Sequence, residues 1–339
     1  MKTSIKLVAA VVLAALAAAP VANAADPPPP PPPPVKADGT SAKVFATGVD
    51  VPTQFAFSPR LTFIAGGQEQ TPGGIYFVRR GSKKAVKIKG SPESAYGVVW
   101  SGGVLYATQD RNIVAYSKWK RNRFLKKRVV ARGPKKSNGF SGLAVGPDNR
   151  LYTGASLTQE FDSRANPVKY SNTVVAVKKS GRGGLKIVSR GLRQPWQMTF
   201  AKGEKSPIVS NLSQETPEGN SAPDFLARAT PGSNFGFPTC SWEVTSPCQD
   251  FTDPLVFFAK TPPAPSPSPM GISARGKKLF VALFNGLPGQ GPGIVTLNSN
   301  GTGVKPFLGG YVAPVLSVAH HKGFVYTGDL TGTIYRVEV

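Results

Sequence analysis

The sequence predicts an all-β chain closed into a six-bladed β-propeller, and three observations carry that prediction. A short apolar phrase recurs six times, as TQFAF from Thr53, YGVVW from Tyr96, SGLAV from Ser141, WQMTF from Trp196, MGISA from Met270 and LSVAH from Leu316. Each is followed across a turn by a second run (LTFIA, VLYAT, RLYTG, PIVSN, KLFVA, FVYTG), and all but the fourth by a clear third (GIYFVRR, NIVAYSK, TVVAVKK, GIVTLNS, TIYRVEV). The spacing of successive units is roughly 45 residues in four of them, the length of a propeller blade.

The runs are short, rich in Val, Ile, Leu, Phe and Tyr, and bounded by Gly, Pro, Asn or Asp, the composition of strands and tight turns. Helical periodicity is almost absent beyond the first residues. A tandem of β-sandwiches would also give regular strands. It does not, however, generate one strand-turn-strand phrase six times, as radial repetition of four-stranded antiparallel sheets does. Two units are longer than the rest. The third carries a loop of about 156–172, and the fourth an insertion of about 211–267 that follows its second strand.

Ahead of the repeats, Lys2 and Lys6 precede an apolar run from Leu7 to Ala19 that ends in Ala22-Asn23-Ala24. A basic start, a short apolar core and small residues at the cleavage site define a secretory signal peptide over residues 1–24. The core falls short of the roughly 20 apolar residues a spanning helix needs, and no later segment approaches it. The expectation is a chain without a transmembrane segment, secreted or lodged in the periplasm or cell envelope after cleavage near Ala24. Pro27 to Pro34 is an unbroken proline run. It has no N–H to donate and adopts a stiff polyproline II rod, so residues 25–40 read as a spacer and 41–339 as the globular domain.

Lys and Arg number 41 against 18 Asp and Glu, a net charge of +23. The densest stretch, KWKRNRFLKKR at 118–128, interleaves Trp119 and Phe124 with cations, as nucleic-acid surfaces do. For an exported chain the favoured partner is an anionic cell-envelope polymer or lipid headgroup, and no nucleic acid is expected. Two cysteines, Cys240 and Cys248, in an oxidising compartment predict a disulfide closing the loop CSWEVTSPC. Trp242 within it, with Phe235 and Phe237 just before, either offers a platform to a sugar ring or packs the insertion onto its blade. The phosphate-binding, dinucleotide, zinc-protease, nucleophile-elbow and haem-attachment motifs are absent from the sequence. His320 and His321 are the only histidines. Adjacent on one strand, they point to opposite faces and cannot jointly chelate an ion.

Several phrases resemble the glucose/sorbosone dehydrogenases, six-bladed propellers that oxidise sugars with pyrroloquinoline quinone and calcium. SRGLRQPWQMTF at 189–200 resembles that family's G-L-R-N-P phrase, APDFLARATPGSNFGFPTC at 222–240 its proline-led loop, and GDLTGTIYRVEV at 328–339 its closing strand. The resemblance implies a sugar or aldose dehydrogenase fold, with Arg193, Gln194, Asn234, Asn285 and Asp329 around the cofactor. A guanidinium fork at Arg193 would suit the quinone's carboxylates. Two departures stand out. Asn138 falls where the family's catalytic histidine opens H-x-G-G-x-L, and an amide cannot take a proton near neutral pH. Asn285-Gly286 stands where relatives carry Asn-Arg. Glu160, Asp162, Glu215, Glu218, Asp224 and Asp329 near the insertions are the oxygen donors from which a calcium site could be drawn; they match no calcium-loop pattern, and no ligand set is assigned. The sequence therefore leaves two functions open, a quinone-dependent sugar dehydrogenase and a non-catalytic propeller that binds a glycan or an anionic envelope polymer.

Expression with export should yield a mature chain beginning at Ala25, read by N-terminal sequencing; a product that keeps Met1 would refute the signal-peptide assignment.

Overall fold

Each of the six phrases becomes the innermost strand of its own sheet. The computed structural model describes residues 32–68, 71–135, 139–156, 168–213, 222–242, 248–259 and 265–339. The expectations for the signal peptide and most of the proline run fall outside them.

Two strands, β1 (Val35–Lys36) and β2 (Lys43–Ala46), precede the first phrase. Blade one is β3 (Pro52–Phe57), β4 (Leu61–Gln68), β5 (Thr71–Arg79) and β6 (Val86–Lys87). Blade two is β7 (Gly97–Ser101), β8 (Val104–Gln109), β9 (Asn112–Lys120) and β10 (Arg123–Arg132). Blade three is β11 (Phe140–Val145), β12 (Arg150–Ala155), β13 (Thr173–Lys178) and β14 (Lys186–Arg190). Blade four is β15 (Gln194–Thr199), β16 (Ile208–Leu212), β17 (Asp224–Arg228) and β18 (Val256–Phe258). Blade five is β19 (Pro269–Arg275), β20 (Lys278–Leu283), β21 (Gly293–Asn298) and β22 (Lys305–Gly309). Blade six is β23 (Val315–His321), β24 (Phe324–Asp329) and β25 (Ile334–Glu338), completed by β2. All pairings within the sheets are antiparallel, and no described residue is helical.

The innermost strands touch in the cyclic order β3, β7, β11, β15, β19, β23 and back to β3, so the chain forms a ring. Hydrogen bonds between distant parts of the chain fasten it: β2 supplies the outer strand of blade six through Lys43↔Arg336, Val44↔Tyr335 and Ala46↔Ile334. A further difference from the sequence expectation lies just upstream. Val35 and Lys36, within the segment read as spacer, pair with Gly309 and Leu308 as a fifth strand of blade five. The fourth unit also has its third strand. DFLAR forms β17 inside what reads as a continuous insertion, dividing it into loops on either side. A polar end at Asp224 and Arg228 hides it from a purely apolar search.

Packing explains why the second and third runs are continuously apolar rather than alternating. Each sheet is covered on both faces by its neighbours, so both sets of side chains are buried. Phe63, Phe77, Val98 and Leu105 join blades one and two, and Leu143, Val175 and Ile113 join two and three. Phe55, Ile64, Tyr326 and Ile334 close the ring between blades six and one. Trp119 and Phe124 belong to this core. They pack on Phe63, with Trp119 edge-on at 5.5 Å, and Phe124 is buried, so neither is presented as a stacking platform among the surrounding cations.

At the axis, each innermost strand has a neighbour on one side only, and its inner edge would leave N–H and C=O groups unpaired. Two glutamines at the second position of the repeated phrase fill that space. Gln54 Oε1 accepts from the N–H groups of Val98 and Leu143 (2.8 and 3.0 Å), while its Nε2 donates to the Leu143 carbonyl (3.0 Å). Gln197 Nε2 donates to the carbonyls of Thr53 and Tyr96 (3.2 and 3.1 Å). The same position in blades two and three is Gly97 and Gly142. A Cβ on Gly142 would strike the Gln197 amide, so glycine makes room for the plug.

Gln197→Ala leaves two buried carbonyls without donors and a cavity at the axis. It should lower unfolding stability by about 2–5 kcal/mol in urea denaturation; a loss under about 0.5 kcal/mol would show that the plug contributes nothing.

Candidate functional site

The strand register sorts the loops onto two faces. Each innermost strand begins opposite the end of its second strand, as in Gln194↔Leu212, Pro269↔Leu283 and Val315↔Asp329. The loops between second and third strands therefore share one mouth with the starts of the innermost strands, and the long connection from β17 to β18 climbs back to it, with Asn234 beside Arg190 and Phe237 beside Arg193.

Arg193 precedes β15 at this mouth and is 5 % exposed. Its carbonyl accepts from Asn172 Nδ2 of blade three (3.1 Å), and its guanidinium Nη1 donates to Gln194 Oε1 at 3.4 Å. The Gln194 N–H donates to Asn211 Oδ1 (3.1 Å). Asp224, at the start of β17, is the hub beside them. Its Oδ1 accepts the Ser213 N–H (2.7 Å), and its Oδ2 accepts the Ser268 N–H (3.1 Å) and the Ser266 hydroxyl. Asn285, just past β20, then donates from Nδ2 to the Ser266 carbonyl (2.8 Å). Arg193, Gln194 and Asn285 thus lie in one polar band across blades four and five, joined through Asp224 and Ser266.

Burial pushes the Asp224 carboxyl above its ordinary value, against the opposing pull of its three hydrogen bonds and of the nearby Arg193 charge. Gly286, beside Asn285, is a position that only glycine can fill. Its φ is +82°, and a Cβ there would meet the Gly291 carbonyl oxygen, so the backbone admits no side chain.

Two expected site residues lie apart from this band. Asp329 is fully buried at the end of β24, where Oδ1 accepts the N–H (3.0 Å) and hydroxyl (2.5 Å) of Thr331 and caps the turn into β25. Burial raises its pKa too. Asn234 is exposed and holds a loop turn, its Oδ1 accepting the Gly236 N–H (3.1 Å), beside Arg190. Asn138, Glu160, Asp162, Glu215 and Glu218 lie outside the described residues. Among the described residues no three acidic, histidine or cysteine side chains gather as a metal set. His320 and His321 end β23 on the face away from the mouth, against Phe280 and Phe57 respectively. Burial lowers the pKa of both.

Cys240 and Cys248 are joined, with Cα atoms 5.3 Å apart. Trp242 Nε1 donates to the Phe235 carbonyl (3.1 Å) and its ring packs on Phe257, while Phe235 is buried between blades three and four. Those two aromatics fasten the insertion to the blade. Phe237 is half-buried and lines a crevice with Arg193 and Asn211.

The aromatic floor is elsewhere, and sequence reasoning passed over it. Trp196, Met270 and Leu316 occupy the first position of the repeated phrase and meet Val51 at the mouth end of the axis, with Tyr96, Leu212 and Phe284 around them. Trp196 stands edge-on to Tyr96, ring centroids 5.8 Å apart. Its indole N–H is buried and has no hydrogen-bond partner among the described residues. The signal was a tryptophan in the WQMTF phrase, at a position that looks like packing until the ring closes.

No protein-family model matches the chain, and no curated protein matches it in sequence. Solved structures do match in fold. The PQQ-bound aldose sugar dehydrogenase from Streptomyces coelicolor superposes with a TM-score of 0.66 at 19 % identity, over 88 % of this chain and 98 % of that one. A putative oxidoreductase (glucose dehydrogenase) from Thermus thermophilus gives 0.68 at 21 %, over 88 % and 99 %. A luciferin-regenerating enzyme gives 0.60 at 13 %, over 89 % and 96 %. At these identities the likeness establishes the fold: a six-bladed propeller of the architecture seen in the sugar dehydrogenases. The same architecture carries the third, different activity.

Because the folded chain favours protonated Asp224 more than the unfolded chain does, its contribution to stability is fullest below the ordinary carboxylate pKa and is lost as pH rises through the raised value. The stability of the wild type minus that of Asp224→Asn should therefore fall as the pH rises above about 4, the ordinary carboxylate value, and flatten once the folded-state carboxyl has ionised. Urea denaturation of both across that range checks it; a difference that grows with pH would refute the assigned direction.

Proposed function

We propose that this chain is an exported propeller of the glucose/sorbosone dehydrogenase type that holds a sugar ring at its mouth without oxidising it. The observation that carries this reading is the mouth end of the axis, where half-buried Tyr96 stands edge-on to Trp196 beside the polar band of Arg193, Gln194 and Asn285. A sugar presents C–H faces that pack on aromatic rings and hydroxyls that require directed donors and acceptors. The band of Arg193, Gln194 and Asn285 supplies amides and a guanidinium at the rim.

The group this scaffold implies, pyrroloquinoline quinone with calcium, accepts a hydride from the sugar carbon when bound. The described residues fit it poorly. The quinone's carboxylates call for cations free to meet them, and the charge of Arg193 already faces Asp224. The place of the relatives' second cation is Gly286, where the backbone admits no side chain. A base is also required, and Asn138 has none to give. Oxidation of the bound sugar therefore forms no part of the proposed activity. The dehydrogenase reading is kept as the second one because Arg193 and an amide neighbour stand in the family's order.

Titrating the mature chain with a panel of aldoses should quench tryptophan fluorescence saturably, and Trp196→Ala should weaken the binding at least about tenfold. Incubation with the quinone and calcium should leave no bound-cofactor absorbance and no sugar-dependent dye reduction. Silence across the sugar panel would refute the binding reading. Cofactor uptake with turnover that Asn138→His increases would replace it with the dehydrogenase.

A further inference from the structure

We infer that the face opposite the mouth is a docking surface for an extended, phosphodiester-bearing polymer of the cell envelope, seated in the groove between blades three and four. The same register that gathers the insertions at the mouth sends the turns between first and second strands, and between third and fourth, to the underside. Those turns are cationic. Blade three turns there with Lys178 and Arg182, blade four with Lys202 and Lys205, and blade five with Lys277 and Lys278. The acids beside them are already engaged. Asp148 accepts from the Tyr152 hydroxyl (2.8 Å) and lies 3.6 Å from Arg150, and Glu204 pairs with Arg228.

The groove is a built shape rather than a flat charged patch. It encloses about 510 Å³ between Pro147, Tyr152, Val188 and Pro231, with Lys186 and Lys205 at its edges. Through Arg150 and Lys186 it runs on into a second hollow of about 190 Å³ that reaches Lys178 and Arg182. Lys186, Lys205 and Arg182 are exposed and have no acidic partner among the described residues. Proline and tyrosine walls accommodate an uncharged polyol or sugar unit, and cations placed along the floor and rim meet anionic groups repeated along a chain. A planar bilayer would touch the rim and leave the groove empty. Single-stranded nucleic acid would look for exposed aromatics, and those of the basic 118–128 hairpin are packed into the core. This site is separate from the mouth and does not depend on a sugar being bound there.

The test uses the mature chain and a defined poly(glycerol phosphate), with binding followed by calorimetry at about 0.1 M salt. The triple variant Arg182→Glu, Lys186→Glu, Lys205→Glu should weaken binding about tenfold or more, and the Gln versions of the same three should weaken it less but in the same direction. The charge-matched triple on the mouth side, Arg132→Glu, Lys135→Glu, Lys169→Glu, should change it by less than about twofold. Thermal melts of all variants establish that each is folded, and the Gln set carries the test should the Glu set not fold. Equal losses in the two triples would overturn the proposal in favour of net charge alone. No binding to the polymer, or binding to anionic lipid vesicles or to DNA in its place, would overturn the assigned partner.

Discussion

The axis is the constraint on which the rest of this molecule depends. Six strands brought edge-on around a common line each turn a row of backbone donors and acceptors inward, where no seventh strand can pair with them. Leaving such groups buried and unpaired costs more than any one contact returns. The chain meets the requirement with side chains. Gln54 and Gln197 lie across the centre and serve strands of blades one, two and three. Short hydroxyls then pass from blade to blade, Thr53 to the Ala95 carbonyl, Thr108 to that of Ser141, Ser141 to that of Pro195 and Ser210 to that of Met270. Glycine at position 142 is a consequence, because the Gln197 amide occupies the volume its Cβ would need.

Filling the axis also determines what the mouth can be. With the plug in place, Trp196, Met270, Leu316 and Val51 pack together over it at the mouth end of the axis. Bulges at the mouth ends of the innermost strands in blades one, three, four, five and six re-aim the first residues of the phrase toward this floor. Loops of blades four and five then hold the rim through Asp224, a carboxylate tolerated in a buried place only because three donors and a guanidinium surround it.

Charge is distributed by the same geometry. Alternate turns go to opposite faces, so a chain can dedicate one face to loops with shape and the other to short turns with charge. The mouth mixes acids at strand ends, Asp224, Asp329 and Asp110, with cations such as Arg132 and Lys169, whereas the short turns of the underside carry lysine and arginine in turn after turn. A net charge of +23 is therefore not spread evenly, and a molecule so polarised presents different chemistry to its two surroundings.

The sequence by itself determined the number of blades and the identity of their inner strands, because TQFAF and its five echoes encode a local preference that needs no distant partner to be recognised. Tertiary structure alone decided the rest. β2 closes the last blade across nearly the whole chain, DFLAR becomes a strand through pairing with β16, and Gln54 and Gln197 meet partners more than forty residues away in sequence. Trp196 likewise reads as a core residue of its own blade until ring closure places it at the mouth end of the axis, against Met270 and Leu316 of blades five and six. The physical reason is that strand pairing and burial are properties of contacts, and in a ring the contacts that define the site join residues that the chain itself keeps apart.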